Sequence, residues 1–165
     1  FMNLSQYTTL REWFLQHPGC LKLLRVLYRL PLLMYCAYPA LLAWLLIQKR
    51  WDLLLREVAV PLAVFLGVTL LRHWHNSPRP YEVWNVTPLF PRSKKGHSFP
   101  SRHSAAASVI AMAFWYINPA AGAVMLAAAL LIAVSRVLAG VHFVRDVLAG
   151  LAAGILGGAI GFFVI

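Results

Sequence analysis

Five long apolar segments are the feature that most constrains how this chain can fold. They run from Leu30 to Ile47, Val58 to Leu71, Ser104 to Ile117, Ala120 to Leu138 and Val144 to Ile165. A helix of about 18 residues rises roughly 27 Å, which is close to the hydrocarbon thickness of a bilayer. Because 61% of the residues are hydrophobic and only 12% are charged, the sequence predicts an all-α integral membrane bundle of about five transmembrane helices.

Small residues recur in two of these segments. The last segment contains Gly150-x3-Gly154 and Gly157-x3-Gly161, and the third is rich in alanine. Small residues at this spacing let helices approach closely inside a membrane. We therefore predict that these positions form packing surfaces between helices and are not part of a site.

The first 29 residues are amphipathic and too interrupted by charge to span a bilayer. Apolar side chains recur at helical spacing between the cations, and Pro18-Gly19 interrupts the pattern. This predicts one or two helices on the bilayer surface, with packing against the bundle as the alternative. We divide the chain into an interfacial segment, 1–29, and a transmembrane domain, 30–165. Scattered charges give no reason to expect a cleavable signal.

The charge balance is strongly basic, with 15 Lys and Arg against 5 Asp and Glu and a formal net charge of +10. Such an excess suits nucleic acid, an anionic lipid surface or an anionic substrate. Nucleic acid is not expected, because the basic residues form no soluble module. Cys20 and Cys36 lack metal-ligand spacing and are predicted to be ordinary apolar filler.

Polar residues cluster at three places. The clusters are Arg72-x6-Arg79-Pro80, Pro100-Ser101-Arg102-His103 and Ser135-Arg136-x5-His142-x3-Asp146. The first two delimit a polar stretch, 72–103, in which the four prolines from Pro78 to Pro91 argue against a long helix. Counting crossings places all three clusters on one side of the membrane. Ionisable residues beside apolar spans usually mark a site.

The third cluster suits nucleophilic chemistry. If its backbone is helical, His142 and Asp146 share one face. A carboxylate bonded to one imidazole nitrogen fixes the tautomer and leaves the other nitrogen free to attack. Arg136 can hold phosphate oxygens and Ser135 can add a hydroxyl donor. The structural alternative is a surface His–Asp pair that caps a helix, with a snorkelling arginine.

The other two clusters suit an anion. A helix that begins at Ser101, Arg102 and His103 would present free N–H groups, and His103 could act as a general acid. Arg72 and Arg79 could clamp phosphate charge in the transition state. The alternatives are a serine N-cap with an incidental histidine, and a basic flanking loop.

The remaining polar residues give weaker signals. His73, His75 and His97 lack obvious partners and are predicted to be solvated loop residues. Lys94 and Lys95 could contact lipid headgroups or substrate. The sequence contains no acidic or Cys/His cluster of metal-ligand type, so we expect a metal-free mechanism without cofactors.

At these residues the chain resembles the type 2 phosphatidic acid phosphatase superfamily. The family pattern is Lys-x6-Arg-Pro, then Pro-Ser-Gly-His, then Ser-Arg-x5-His-x3-Asp, and the likeness covers roughly residues 58–165. Arg72 replaces the family's lysine and Arg102 replaces its glycine. We hypothesise that the Arg102 side chain adds a contact to a second phosphate or to an anionic headgroup.

The resemblance implies a mechanism and a substrate class. His142 would form a phosphohistidine, Asp146 would orient it, and His103 would protonate the leaving oxygen and then activate water. The phosphoryl group would be bound by Arg72, Arg79, Ser101, Arg102, Ser135 and Arg136. Undecaprenyl pyrophosphate, phosphatidic acid and phosphatidylglycerophosphate are the expected candidates, with a slight preference for the polyprenyl diphosphate.

Two other functions stay open at the level of sequence. One is a phosphotransferase that uses the same phosphohistidine, and the other is a non-catalytic membrane protein that binds anionic lipid. The resemblance implies a plasma-membrane location with the site on the extracytoplasmic side. The count of basic residues points the other way, because twelve lie on the site side and three on the opposite loop. The oligomeric state is left open.

Overall fold

The structure is a computed structural model that describes residues 3–92 and 94–165. Within these ranges the chain forms helices α1 (Leu4–Gln16), α2 (Pro18–Ile47), α3 (Trp51–His75), α4 (Pro80–Val83), α5 (Arg102–Ile117), α6 (Pro119–Leu138) and α7 (Val144–Phe163). The predicted all-α membrane bundle is confirmed. Four stretches are long and apolar enough to cross a membrane: α2, α3 with its extension to Val83, α6 and α7.

Helix α5 is the shortest of the five helices that contain the predicted spans, and it lies at the centre of the bundle. It contacts α7, α6, α3 and α2, and its alanines Ala105, Ala107, Ala111 and Ala113 are buried. Its 16 residues rise about 24 Å, which is short for a full crossing. Because other helices surround α5, its side chains contact protein where a peripheral helix would contact lipid.

The helix that contains the first predicted span, Leu30 to Ile47, begins well before that span. Helix α2 begins at Pro18 and continues without a break past Pro31 and Pro39. Pro18 occupies the first turn, where a missing N–H costs nothing. The connection to α3 is also shorter than the predicted 48–56 segment, since α3 begins at Trp51.

The glycines of α7 pack against two neighbours, as predicted. A Cβ at Gly150 would lie 2.5 Å from the Ser101 carbonyl oxygen, and one at Gly154 would lie 1.9 Å from the Ser108 hydroxyl. A Cβ at Gly157 or Gly161 would instead meet valines of α3. The first pair therefore sets the close approach of α7 to α5, and the second its approach to α3.

Helix α1 packs against the polar end of the bundle. Tyr7 is buried and stacks on Trp84 with ring centroids 5.6 Å apart. The Arg11 Nε donates to the Thr87 carbonyl oxygen at 2.9 Å. Of the two arrangements considered for the amino-terminal segment, these contacts favour packing on the bundle for α1.

Apolar side chains cover the outside of the long helices. Exposed residues include Leu32 and Leu33 on α2, Leu66 and Leu70 on α3, and Leu156 on α7. An apolar surface this extensive is stable only against lipid or another apolar partner. Together with the four crossing stretches, it marks the chain as a multi-pass membrane protein.

Candidate active site

The three polar clusters meet at one end of the bundle. Arg72 lies at the end of α3, His103 at the start of α5, and His142 in the connection between α6 and α7. These segments enclose a cavity of about 60 Å³, hereafter the phosphate cavity. Its lining residues are Arg72, Arg79, Arg92, Lys94, Arg102, His103, Arg136, Val141 and His142. Two imidazoles and six cationic side chains thus face one small space.

The imidazole of His142 is held by a relay. His142 precedes α7, so its pairing with Asp146 does not arise within a helix. The two side chains still meet, with Nδ1 of His142 3.6 Å from Oδ2 of Asp146. The Ser98 hydroxyl lies between them, 3.2 Å from Nδ1 and 2.5 Å from Oδ2. Because a carboxylate only accepts, Ser98 donates to Asp146 and accepts from Nδ1–H, which leaves Nε2 unprotonated.

The surroundings of His142 favour the neutral imidazole. Burial lowers the pKa of His142 below its usual value, and the charges of Arg79 and Arg72 lower it further. The Asp146 carboxylate opposes this shift, but a deeply buried cation beside two guanidinium groups is the less favourable state. A neutral imidazole with a free nitrogen is the form that can attack phosphorus.

Arg136 is a buried cation with unused hydrogen-bonding capacity. Its side chain is 2% exposed, and its Nε and Nη1 atoms have no hydrogen-bond partner among the described residues. Nη2 donates to the Tyr28 carbonyl oxygen at 3.1 Å, and the guanidinium carbon lies 3.9 Å from the centre of the Tyr28 ring. Since unpaired buried donors are costly, an anion in the phosphate cavity would stabilise this arrangement.

Arg72 and Arg79 connect the loop segments that carry the reactive groups. Nη1 of Arg72 donates to the carbonyl oxygens of Ser98, at 3.3 Å, and Pro100, at 2.5 Å. Arg79 donates from Nε to Gly96 at 3.1 Å and from Nη1 to Val141 at 3.4 Å. Both arginines are largely buried. They fix the cavity wall and present positive charge to the cavity.

The two predicted serine donors have other partners. The Ser101 hydroxyl caps α5, accepting from the backbone N–H and the hydroxyl of Ser104 at 3.4 and 3.1 Å. It keeps its own proton to donate, so its role in phosphate binding stays a prediction. The Ser135 hydroxyl donates to the Ile132 carbonyl oxygen at 2.7 Å. That proton is therefore used inside α6, and a direct contact from Ser135 to phosphate is not supported.

Sequence reasoning missed four residues that form or support the site. Ser98 precedes the second cluster and gave no signal of its own, although it forms the relay. Arg92 donates from Nε to the Tyr28 hydroxyl at 2.8 Å, and Tyr28 supports Arg136 from the segment expected at the membrane surface. His97, expected to be a solvated loop residue, hydrogen-bonds through Nδ1 to the Arg72 carbonyl oxygen at 2.9 Å.

The chain is similar to a known protein family and to a curated relative. The sequence profile of the PAP2 superfamily matches residues 53–164. YbjG of Escherichia coli (strain K12), whose name assigns it provisionally as an undecaprenyl-diphosphatase, is 36% identical over 109 residues, or 62% of this chain and 54% of its own length. The chain thus spans about half the length of this curated relative.

Two solved structures have the same fold. LpxE of Aquifex aeolicus superposes with a TM-score of 0.75 and 30% sequence identity, covering 98% of this chain and 95% of its own. The structure titled as the first transmembrane PAP2 type phosphatidylglycerolphosphate phosphatase, from Bacillus subtilis, has a TM-score of 0.71 and 25% identity. It covers 95% of this chain and 83% of its own.

Proposed function

Because this chain belongs to the PAP2 superfamily, we propose that it is a membrane phosphatase that removes phosphate from a lipid phosphate monoester or diphosphate. One observation carries the proposal. His103 and His142 line a single small cavity together with Arg72, Arg79 and Arg136. Simple binding of anionic lipid needs positive charge but has no use for a buried histidine whose tautomer is fixed by a serine and an aspartate.

The chemistry proceeds in two displacements. The lone pair of Nε2 of His142 forms a bond to phosphorus while the bond from phosphorus to the leaving oxygen breaks, and His103 gives its proton to that oxygen. Neutral His103 then takes a proton from water, whose oxygen forms a bond to phosphorus as the phosphohistidine bond breaks. The arginines stabilise charge on the equatorial oxygens throughout.

A lipid substrate is supported by the position and size of the phosphate cavity. It lies at the end of apolar helices, and its volume of about 60 Å³ is far below the roughly 300 Å³ or more of a site that encloses a drug-sized molecule. Only a phosphorylated headgroup would enter, and the hydrocarbon would remain in the membrane. The names of the relatives, which concern an undecaprenyl diphosphate and phosphatidylglycerolphosphate, motivate the choice of test substrates.

Phosphate release by the purified full chain in detergent tests the proposal. We expect release from at least one of undecaprenyl diphosphate, phosphatidic acid and phosphatidylglycerophosphate, with a chelator present. His142→Ala should reduce the rate by roughly 10⁶-fold, the order of the loss seen when a covalent nucleophile is removed. His17→Ala, which removes an exposed histidine outside the cavity, is the matched control. Full activity of His142→Ala would refute the mechanism.

We propose that the site faces the extracytoplasmic side of a plasma membrane, where the product lipid would be released. Lys95 is exposed and lies on the site side, so a Lys95→Cys variant in a Cys20→Ser, Cys36→Ser background reports the orientation. Labelling of intact cells by a membrane-impermeant maleimide is expected. Labelling only after lysis would place the site in the cytoplasm.

A further inference from the structure

A second cavity lies beside the phosphate cavity. It has a volume of about 200 Å³ and is lined by Thr69, Arg72, His73, His97 and Arg102. Arg72 and Arg102 line both cavities. The two spaces therefore adjoin across a shared pair of guanidinium groups, although the mechanism proposed above uses only the first.

The lining of the second cavity suits an anion. The Arg72 carbonyl can only accept, so its contact with His97 places a proton on Nδ1 of His97 and leaves Nε2 as an acceptor for the proton of a phosphate O–H group. The His73 ring lies nearly parallel to that of His97, with centroids 6.1 Å apart and an interplanar angle of 9°. All five lining side chains are cationic, imidazole or hydroxyl groups.

Arg102 is the feature that sets this site apart from the family pattern, which has glycine at this position. It is the first residue of α5, and its side chain is exposed. A glycine would contribute no charge to either space. The arginine supplies a cation at the boundary between the two cavities, where the oxygen that bridges two phosphoryl groups would lie.

We propose that the second cavity binds the lipid-linked phosphoryl group of a diphosphate while the terminal phosphoryl group occupies the phosphate cavity. This inference rests on the proposed phosphatase activity and narrows its substrate class to lipid diphosphates. Nε2 of His142 bonds to the terminal phosphorus as the bond from that phosphorus to the bridging oxygen breaks. The electron pair stays on the bridging oxygen of the lipid monophosphate, which takes the His103 proton, and Arg72 and Arg102 stabilise the departing group.

A matched pair of substrates tests the assignment. Farnesyl diphosphate and farnesyl monophosphate share one hydrocarbon chain, so the ratio of their kcat/KM values isolates the second phosphate. Because a hydrogen bond to a charged group contributes substantially to binding, Arg102→Gln should lower the ratio of kcat/KM for the diphosphate to that for the monophosphate by about tenfold. Lys22→Gln removes the same charge from an exposed residue outside both cavities and should leave the ratio within about twofold.

Three further measurements keep the inference falsifiable if Arg102→Gln folds poorly. His73→Gln should lower the ratio in the same direction, and Arg102→Lys should restore part of it. Methylenediphosphonate should inhibit the wild-type protein more strongly than methylphosphonate does, and His73→Gln should reduce that difference.

The outcomes separate the two proposals. If the wild-type protein hydrolyses both farnesyl substrates and Arg102→Gln lowers both rates equally, or neither, the second cavity does not bind the lipid-linked phosphate and the phosphatase assignment stands. If the wild-type protein releases phosphate from neither these nor the glycerolipid substrates, the phosphatase assignment fails and this inference fails with it.

Discussion

Replacing Ser98 by alanine tests how the nucleophile is held. The Ser98 hydroxyl donates to the Asp146 carboxylate at 2.5 Å and lies 3.2 Å from Nδ1 of His142. Hydrogen bonds to charged groups contribute about 1.5–3 kcal/mol. Without the hydroxyl, Nδ1 faces Oδ2 across 3.6 Å, so a small movement recovers part of the interaction. We expect a loss of about 1–2 kcal/mol in transition-state stabilisation, or about 5- to 30-fold in rate.

The split between kcat and KM distinguishes positioning from a general structural role. Ser98 does not line the phosphate cavity, so Ser98→Ala should lower kcat for phosphate release and leave KM nearly unchanged. Ser108→Ala is the matched control, because Ser108 is equally buried but its hydroxyl bonds within α5 and to α7. It should lower the melting temperature without a comparable loss of kcat.

A double-mutant cycle with Asp146→Asn completes the test. If Ser98 acts through Asp146, Ser98→Ala should cost little more once the carboxylate is gone, and the two losses should not add. Independent, additive losses would show that the relay has no catalytic role. A kcat of Ser98→Ala that stays within about twofold of the wild-type value would lead to the same conclusion.

Three other perturbations have defined outcomes. Gly154→Ala places a Cβ 1.9 Å from the Ser108 hydroxyl and should lower stability by about 1–3 kcal/mol in thermal melts. Gly67→Ala is the control, because a Cβ there has nothing within 4 Å. Equal melting temperatures of the two variants would contradict the packing argument. Tyr28→Leu removes the ring 3.9 Å from the Arg136 guanidinium and should raise KM by about 2- to 30-fold. Tyr28→Phe keeps the ring and should raise KM less. An unchanged KM in Tyr28→Leu would show that the ring does not support Arg136. Because burial lowers the pKa of His142, the unfolded chain binds more protons than the folded chain below about pH 6.5. The free energy of unfolding should therefore fall on acidification by at most about 1.4 kcal/mol per pH unit. His142→Gln should flatten that dependence in melts at pH 5–7, and equal slopes in the two proteins would refute this prediction.

The amino-terminal third of the chain contains contacts that could not be predicted from the sequence. Periodicity identified apolar faces in residues 1–29 and the break near Pro18. It placed the start of the span at Leu30, because Pro31 suits the first turn of a helix as well as Pro18 does. The continuous α2 instead brings Tyr28 under Arg136, a contact between residues far apart in sequence that no local pattern contains.

The sequence by itself determined the membrane class, the helical bundle and the convergence of three polar clusters at one end of it. The reason is that bilayer thickness and backbone hydrogen bonding leave apolar segments of this length few alternatives to crossing as helices. Only the tertiary structure decided which polar atoms face the phosphate cavity. It placed Ser98 between His142 and Asp146, used the Ser135 hydroxyl inside α6, and put Arg102 on the boundary of two cavities. Hydrogen-bond partners depend on how helices distant in sequence pack together, and that packing is not encoded in the spacing of a motif.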